Sequence, residues 1–255
     1  MKFLFVFLLA GAPLWAAEKT PVELENVGIE EHLGEKISLG LSFTTADGKR
    51  VPLQTYFTDK PVILNLVYHN CPNLCHYLLD GFTHSIKNHP FRIGKEFRVL
   101  TISIDPAEKS SLALKKQEHY IKMYGRDVLA GEWVFLTGDE NDIRQLAREV
   151  GFKYRYDFKQ KEYAHAAGIF ILTPEGKISR TLYGIQFSPR DLRLSILEAS
   201  QGKIGNVVDK LLLFCYHYDP EARKYAIFAV NLMKVGGAIT LLFIVLLLVF
   251  LRKRK

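Results

Sequence analysis

The segment Val62-Ile63-Leu64-Asn65-Leu66-Val67-Tyr68 is apolar enough to be a central strand, and within three residues it reaches Cys71-Pro72-Asn73-Leu74-Cys75. Leu74, Leu78, Leu79, Phe82 and Ile86 then recur at helical spacing. A buried strand that turns at once into a helix sets two thiols at the rim of a sheet. Sites in α/β sheets gather at the carboxyl ends of strands, where Cys71 falls. Cysteines four apart near a helix N-terminus share one face, with roughly 6 Å between Cα atoms. Two chemistries fit that spacing: a disulfide, or joint ligation of one thiophilic metal ion. The chain has only three cysteines, so two unrelated buried thiols explain the pattern poorly.

The flanking sequence supplies the rest of a mixed sheet. Leu41-Ser42-Phe43 and Val51-Pro52-Leu53 flank Ala46-Asp47-Gly48-Lys49, a hairpin pattern. Residues 97–104 read as a second strand ended by Asp105-Pro106, and 108–124 suit a helix. Residues 133–136 form a short strand, after which Asp139 is expected to cap a helix carrying Ile143, Leu146, Ala147 and Val150. Residues 169–172 and 178–182 flank Thr173-Pro174-Glu175-Gly176 as a second hairpin, and Pro189 opens a last helix at its first position. No internal repeat or low-complexity tract interrupts this order. Helices alternating with strands predict a sheet covered on both faces. The fold class is α/β, a thioredoxin-like sandwich, with a transmembrane helix expected C-terminal to it.

Both ends of the chain carry membrane signals. Residues 1–17 read as a secretory signal: Lys2, an apolar run, Pro13, and a small-residue site near Ala16-Ala17 with Leu14 or Trp15 at the −3 position. Residues 235–251 are uncharged and almost wholly apolar, about 25 Å as a helix. Residues 226–233 lengthen that run if Lys234 snorkels. The terminal Arg252-Lys253-Arg254-Lys255 marks the cytoplasmic side. The expected organisation is a signal peptide (1–17), an irregular N-terminal arm (18–36), the sandwich domain (37–200), a juxtamembrane segment (201–225), a membrane helix (226–251) and a cytoplasmic basic tail (252–255). The sandwich would then lie on the periplasmic or outer side of a bacterial inner membrane, where thiols tend to oxidise. The formal charge of +7 does not argue for a nucleic-acid partner. Without Lys2 and the last four residues it falls to +2, with no basic stripe.

Imidazole suits copper as a companion to two thiolates. Among eight histidines, His165 stands out in Tyr163-Ala164-His165-Ala166-Ala167-Gly168, just before a core strand, with small neighbours that leave its ring room to reach another loop.

Tyr68-His69-Asn70-Cys71-Pro72-Asn73-Leu74-Cys75 resembles the CPxxC site of the Sco/SenC family of thioredoxin-like copper proteins. Ser103-Ile104-Asp105-Pro106 resembles that family's next strand end, residues 133–138 a further strand and turn, and residues 165–184 the segment carrying its distal histidine. The resemblance spans roughly residues 37–200. It implies that Cys71 and Cys75 are copper-binding thiols that also form a redox-active disulfide, with His165 as the third ligand. It further implies delivery of copper to, or thiol reduction of, the copper A subunit of cytochrome c oxidase, with a copper donor or thiol reductant upstream. Asn73 and Ala164 stand where many members carry an acid, which removes negative charge near the metal.

An extracytoplasmic thiol–disulfide oxidoreductase or thiol peroxidase is the alternative. Its usual CxxC spacing is replaced here by CxxxC, and no proline lies between Gly151 and Phe170, where a substrate-docking proline would be expected. A binding and transfer protein is therefore favoured over an enzyme. His76, Asp80 and His84 share a helix face that reads as solvated. His69 lies close enough to Cys71 to influence it. Cys215 and His217, with Tyr216 and Tyr218, read as an interfacial aromatic belt before the membrane run.

Overall fold

The computed structural model describes residues 27–70 and 74–205, with the side chains of Leu74 and Cys75 excepted, and seven positions between 237 and 252. The expected signal peptide, Cys71, residues 206–225 with Cys215 and His217, and most of the expected membrane helix and tail lie outside the described residues. Two compact units divide the chain, residues 1–205 and 206–255.

The first unit runs β1 (Gly28–Ile29), β2 (Ser42–Thr45), β3 (Arg50–Pro52), β4 (Val62–Val67), α1 (Leu74–Lys87), β5 (Arg98–Ser103), α2 (Ser110–Tyr124), β6 (Trp133–Thr137), α3 (Glu140–Glu149), β7 (Phe152–Asp157), β8 (Glu162–His165), β9 (Gly168–Leu172), β10 (Ile178–Tyr183) and α4 (Pro189–Ser200). Seven strands form one mixed sheet in the order β10-β9-β4-β5-β6-β2-β3. The strands β4, β5 and β6 are parallel, and every residue in each of them is buried. That is the pattern of strands covered on both faces, and it explains their continuous rather than alternating hydrophobicity. The last strand pair closes the sheet on its other side: β9 runs antiparallel to β4, with Val62 opposite Leu172 and Asn65 opposite Ile169.

The helices bury the stripes their spacing announced. Leu78, Phe82 and Ile86 of α1 are fully buried, as are Tyr120 and Tyr124 of α2. Phe82 meets Trp133 edge-on, and Tyr120 stacks nearly parallel on Phe135. Such aromatic pairs add about 1 kcal/mol each beyond their buried area. Gly81 is fixed by proximity rather than by turn geometry. A Cβ there would lie 1.8 Å from the carbonyl oxygen of Ile185, so only glycine lets the segment after β10 rest against α1.

Two local expectations are corrected. Asp139 stands at the N-terminus of α3 but makes no side-chain cap; its carboxylate pairs with Arg50 Nη1 at 2.5 Å. The N-terminal arm is not wholly irregular, because Gly28 and Ile29 pair antiparallel with Lys153 and Phe152. They belong to a small second sheet, β1-β7-β8, which the hydrophobic pattern does not announce. Gly151 makes that junction possible: its φ is +73°, and its carbonyl accepts from Glu30 N at 2.8 Å.

In the second unit positions 237, 240, 241, 244, 249, 251 and 252 are helical, and Leu241, Ile244, Val249 and Leu251 are exposed. Among the described residues no helix is long and apolar enough to cross a membrane.

Candidate metal centre

Three connections meet at the carboxyl ends of the parallel strands: the one after β4, the one after β5, and the β8–β9 turn. The first carries Tyr68, His69 and Asn70, and Cys71 follows directly in sequence. The third carries His165, the last residue of β8. Because β9 enters the sheet beside β4, the turn before it arrives next to the segment that follows β4. Tyr68 records the approach, with its ring 6.2 Å from that of His165 and 5.5 Å from that of Tyr163.

His165 is buried at 7 % exposure, between Tyr68 and Phe152. Its Nδ1 lies 2.8 Å from the carbonyl oxygen of Ala166. A carbonyl only accepts, so Nδ1 carries a proton, and in the neutral ring the lone pair is left on Nε2. A backbone carbonyl that fixes the tautomer in this way is the usual second partner of a ligating histidine. The alanines at 164, 166 and 167 leave the ring its place.

Two polar residues at the same rim had no strong sequence signal. His69 is 2 % exposed, and its Nε2 donates to Leu136 O at 3.3 Å. Burial pushes its imidazole down to about 4, so it is neutral, and Nδ1 is buried without a hydrogen-bond partner. Glu108, in the connection between β5 and α2, accepts from His69 N at 2.8 Å, Asn70 N at 2.6 Å and Ser103 Oγ at 2.6 Å. Burial raises its carboxyl above the usual range, against the lowering effect of those three donors. Asp105, in the same connection, accepts from Tyr163 OH at 3.4 Å. Burial, then the charge of Asp105, pushes the Tyr163 phenol up to about 12.

The histidines and the aspartate that share a face of α1 do not assemble into a site. His84 Nδ1 donates to Asp80 O at 2.7 Å, a contact within the helix, while His76 Nε2 accepts from Lys116 Nζ at 2.6 Å. An imidazole nitrogen occupied by an ammonium is a poor ligand. Among the described residues no group of three or more His, Cys, Asp or Glu side chains is placed to hold a metal. The thiols expected to complete the His165 site, those of Cys71 and Cys75, fall outside the described side chains.

The sequence model of the SCO1/SenC family matches residues 31–199. None of the curated proteins matches the chain. Among solved structures, a protein of Aquifex aeolicus VF5 assigned to electron transfer superposes with a TM-score of 0.59 at 20% identity, over 67% of this chain and 95% of its own. The copper-bound form of Arabidopsis thaliana ScoI gives 0.51 at 20% identity, over 65% and 99%. BsSco, described with a disulfide switch and as a member of the Sco family of cytochrome c oxidase assembly proteins, gives 0.50 at 20% identity, over 68% and 98%. These likenesses establish the thioredoxin-like α/β fold.

Proposed function

Since this chain belongs to the SCO1/SenC family, we propose that it is a membrane-anchored copper-binding protein that delivers copper to, or reduces the thiols of, the copper A centre during cytochrome c oxidase assembly. Copper is its cargo. Cys71 and Cys75 hold the ion as thiolates and His165 completes the set through Nε2. The observation that carries this reading is the placement of a buried, tautomer-fixed imidazole beside Tyr68, three residues before Cys71. Two thiolates and one imidazole suit Cu(I). The same thiols close to a disulfide when oxidised, and copper binds only the dithiol, because ligation needs thiolate. An external reductant is then part of the cycle.

The membrane assignment rests on the N-terminal apolar run and on residues 226–251. It is supported by the exposure of Leu241, Ile244, Val249 and Leu251 on helical backbone, as suits a lipid-facing helix. The sandwich would then face the periplasmic or outer side, anchored by one span. Protease added to intact spheroplasts should digest residues 18–225, whereas full protection would overturn this topology.

The functional reading is tested by titrating the reduced full chain with Cu(I) against a chromophoric chelator. One equivalent should bind tightly to the wild-type protein and none to Cys71→Ser. Equal affinity in the two would refute the ligand set. A purified protein that rapidly turns over peroxide or generic disulfides, in a strain whose oxidase is normal without it, would favour the oxidoreductase alternative.

A further inference from the structure

The last rung between β4 and β5 is Ile104 N to Val67 O at 2.8 Å. Beyond it the sheet offers His69 and Asn70 no acceptor; His69 is buried, where an unpaired N–H is costly, while Asn70 stands at the exposed rim. One side chain answers both. Glu108 Oε2 takes His69 N and Oε1 takes Asn70 N, and the hydroxyl of Ser103, at the end of β5, holds the carboxylate from below. Hydrogen bonds to an ionised carboxylate are about twice as strong as neutral ones. The carboxylate therefore grips the chain one residue before Cys71. Asp105, three residues earlier in the same connection, bonds Tyr163, two residues before His165. A single short connection thus touches both the thiol segment and the imidazole strand.

We propose that Glu108 is a positioning residue for the thiol site, its carboxylate fixing the backbone of His69 and Asn70 and thereby the point from which the cysteine segment leaves the sheet. This rests on the copper-binding reading above, although the clamp itself stands on described geometry. In this role Glu108 acts through the backbone and is not itself a ligand. It removes freedom from the chain just before the first thiol, so that less ordering remains to be done when the metal binds. Supporting partners of this kind change metal affinity by about 10–100-fold when removed.

The test uses the full chain in mild detergent, wild type against Glu108→Gln. Glutamine keeps one acceptor oxygen and loses the charge, so at least one of the two amides loses its partner. Hydrogen exchange at His69 and Asn70 should accelerate about tenfold or more, with exchange in β4 and β5 unchanged. Cu(I) affinity should fall by about tenfold or more, and the thiolate-to-copper absorption of the Cu(II) form should shift. A purely structural role would lower the melting temperature and leave affinity and spectrum alone. Unchanged exchange at the two amides, or faster exchange with wild-type affinity and spectrum, overturns the proposal.

Should wild type fail to bind copper, the copper reading falls. The positioning role is then decided by amide exchange and by the reduction potential of the Cys71–Cys75 pair, either of which refutes it if unmoved. Should Glu108→Gln fail to fold, Ser103→Ala removes one of the carboxylate's three donors. It should shift the same quantities in the same direction by less, and no shift overturns the proposal.

Discussion

The two ends of the parallel strands treat buried charge in opposite ways. At the amino ends, Arg98 grips both oxygens of Glu132 at 3.0 Å and donates to Tyr56 O at 2.6 Å, while Lys60 adds to the same carboxylate at 3.5 Å. Charge there meets charge, and the network ties the start of β5 to the residue before β6. At the carboxyl ends, among the described residues, Glu108 meets only neutral donors, and His69 is held neutral with Nδ1 unpartnered. One end is arranged to hold the sheet together. The other tolerates incompletely satisfied groups in order to aim a loop, which is where function is expected to sit.

Substitutions at the two ends should therefore separate metal binding from stability. The largest effect is expected for Cys71→Ser, which should abolish tight Cu(I) binding while leaving the thermal midpoint of the metal-free protein close to wild type. Glu132→Ala should do the reverse. It strands the Arg98 guanidinium, whose side chain is 11% exposed, and should destabilise the fold by about 3–5 kcal/mol in denaturant titrations with Cu(I) affinity intact. A large loss of affinity in that variant would break the division between the two ends.

His165→Ala comes next. It should weaken Cu(I) binding by at least about tenfold, or about 1.4 kcal/mol, in chelator competition. The smallest effect belongs to Arg50→Ala, on the exposed edge strand β3. Arg50 is half exposed and pairs with Asp139 and Asp142 on the surface, and its loss should move the melting temperature by no more than about 4 °C.

The large sheet was legible because its central strands are mostly apolar runs and its hairpin turns carry Gly48 and Pro174-Glu175-Gly176. The small sheet was not, because β7 and β8 are polar strands joined by Phe158-Lys159-Gln160-Lys161, a connection without glycine in which Lys161 takes a φ of +56°. The alternation of Phe152, Tyr154 and Tyr156 was the available signal. His165 was singled out as a candidate ligand by its small neighbours and its family context, and the structure adds its hydrogen bond to Ala166 O and its proximity to Tyr68. Glu108 was hidden because Ala107-Glu108-Lys109-Ser110 reads as the ordinary polar start of a helix. Only the three-dimensional return of the chain brings His69 and Asn70 onto it. Asp139 was misread for a related reason: a distant arginine captured the carboxylate that local sequence assigned to a cap.

The antiparallel seat of β9 beside β4 also has a consequence in time. Cys71 and His165 are 94 positions apart, and the histidine takes its place beside Tyr68 only when β9 docks along β4. At synthesis rates of about 5–20 residues per second, the cysteines exist for roughly 5–20 s before the imidazole has been made at all. The parallel pairing of β4 with β5 needs only the next 36 or so residues, so that half of the sheet can take shape first. If Cys71, Cys75 and His165 are the ligands proposed above, the newborn protein passes through a two-thiol stage before it can offer all three, and a disulfide closed during that interval would be the state from which its first reductant has to rescue it.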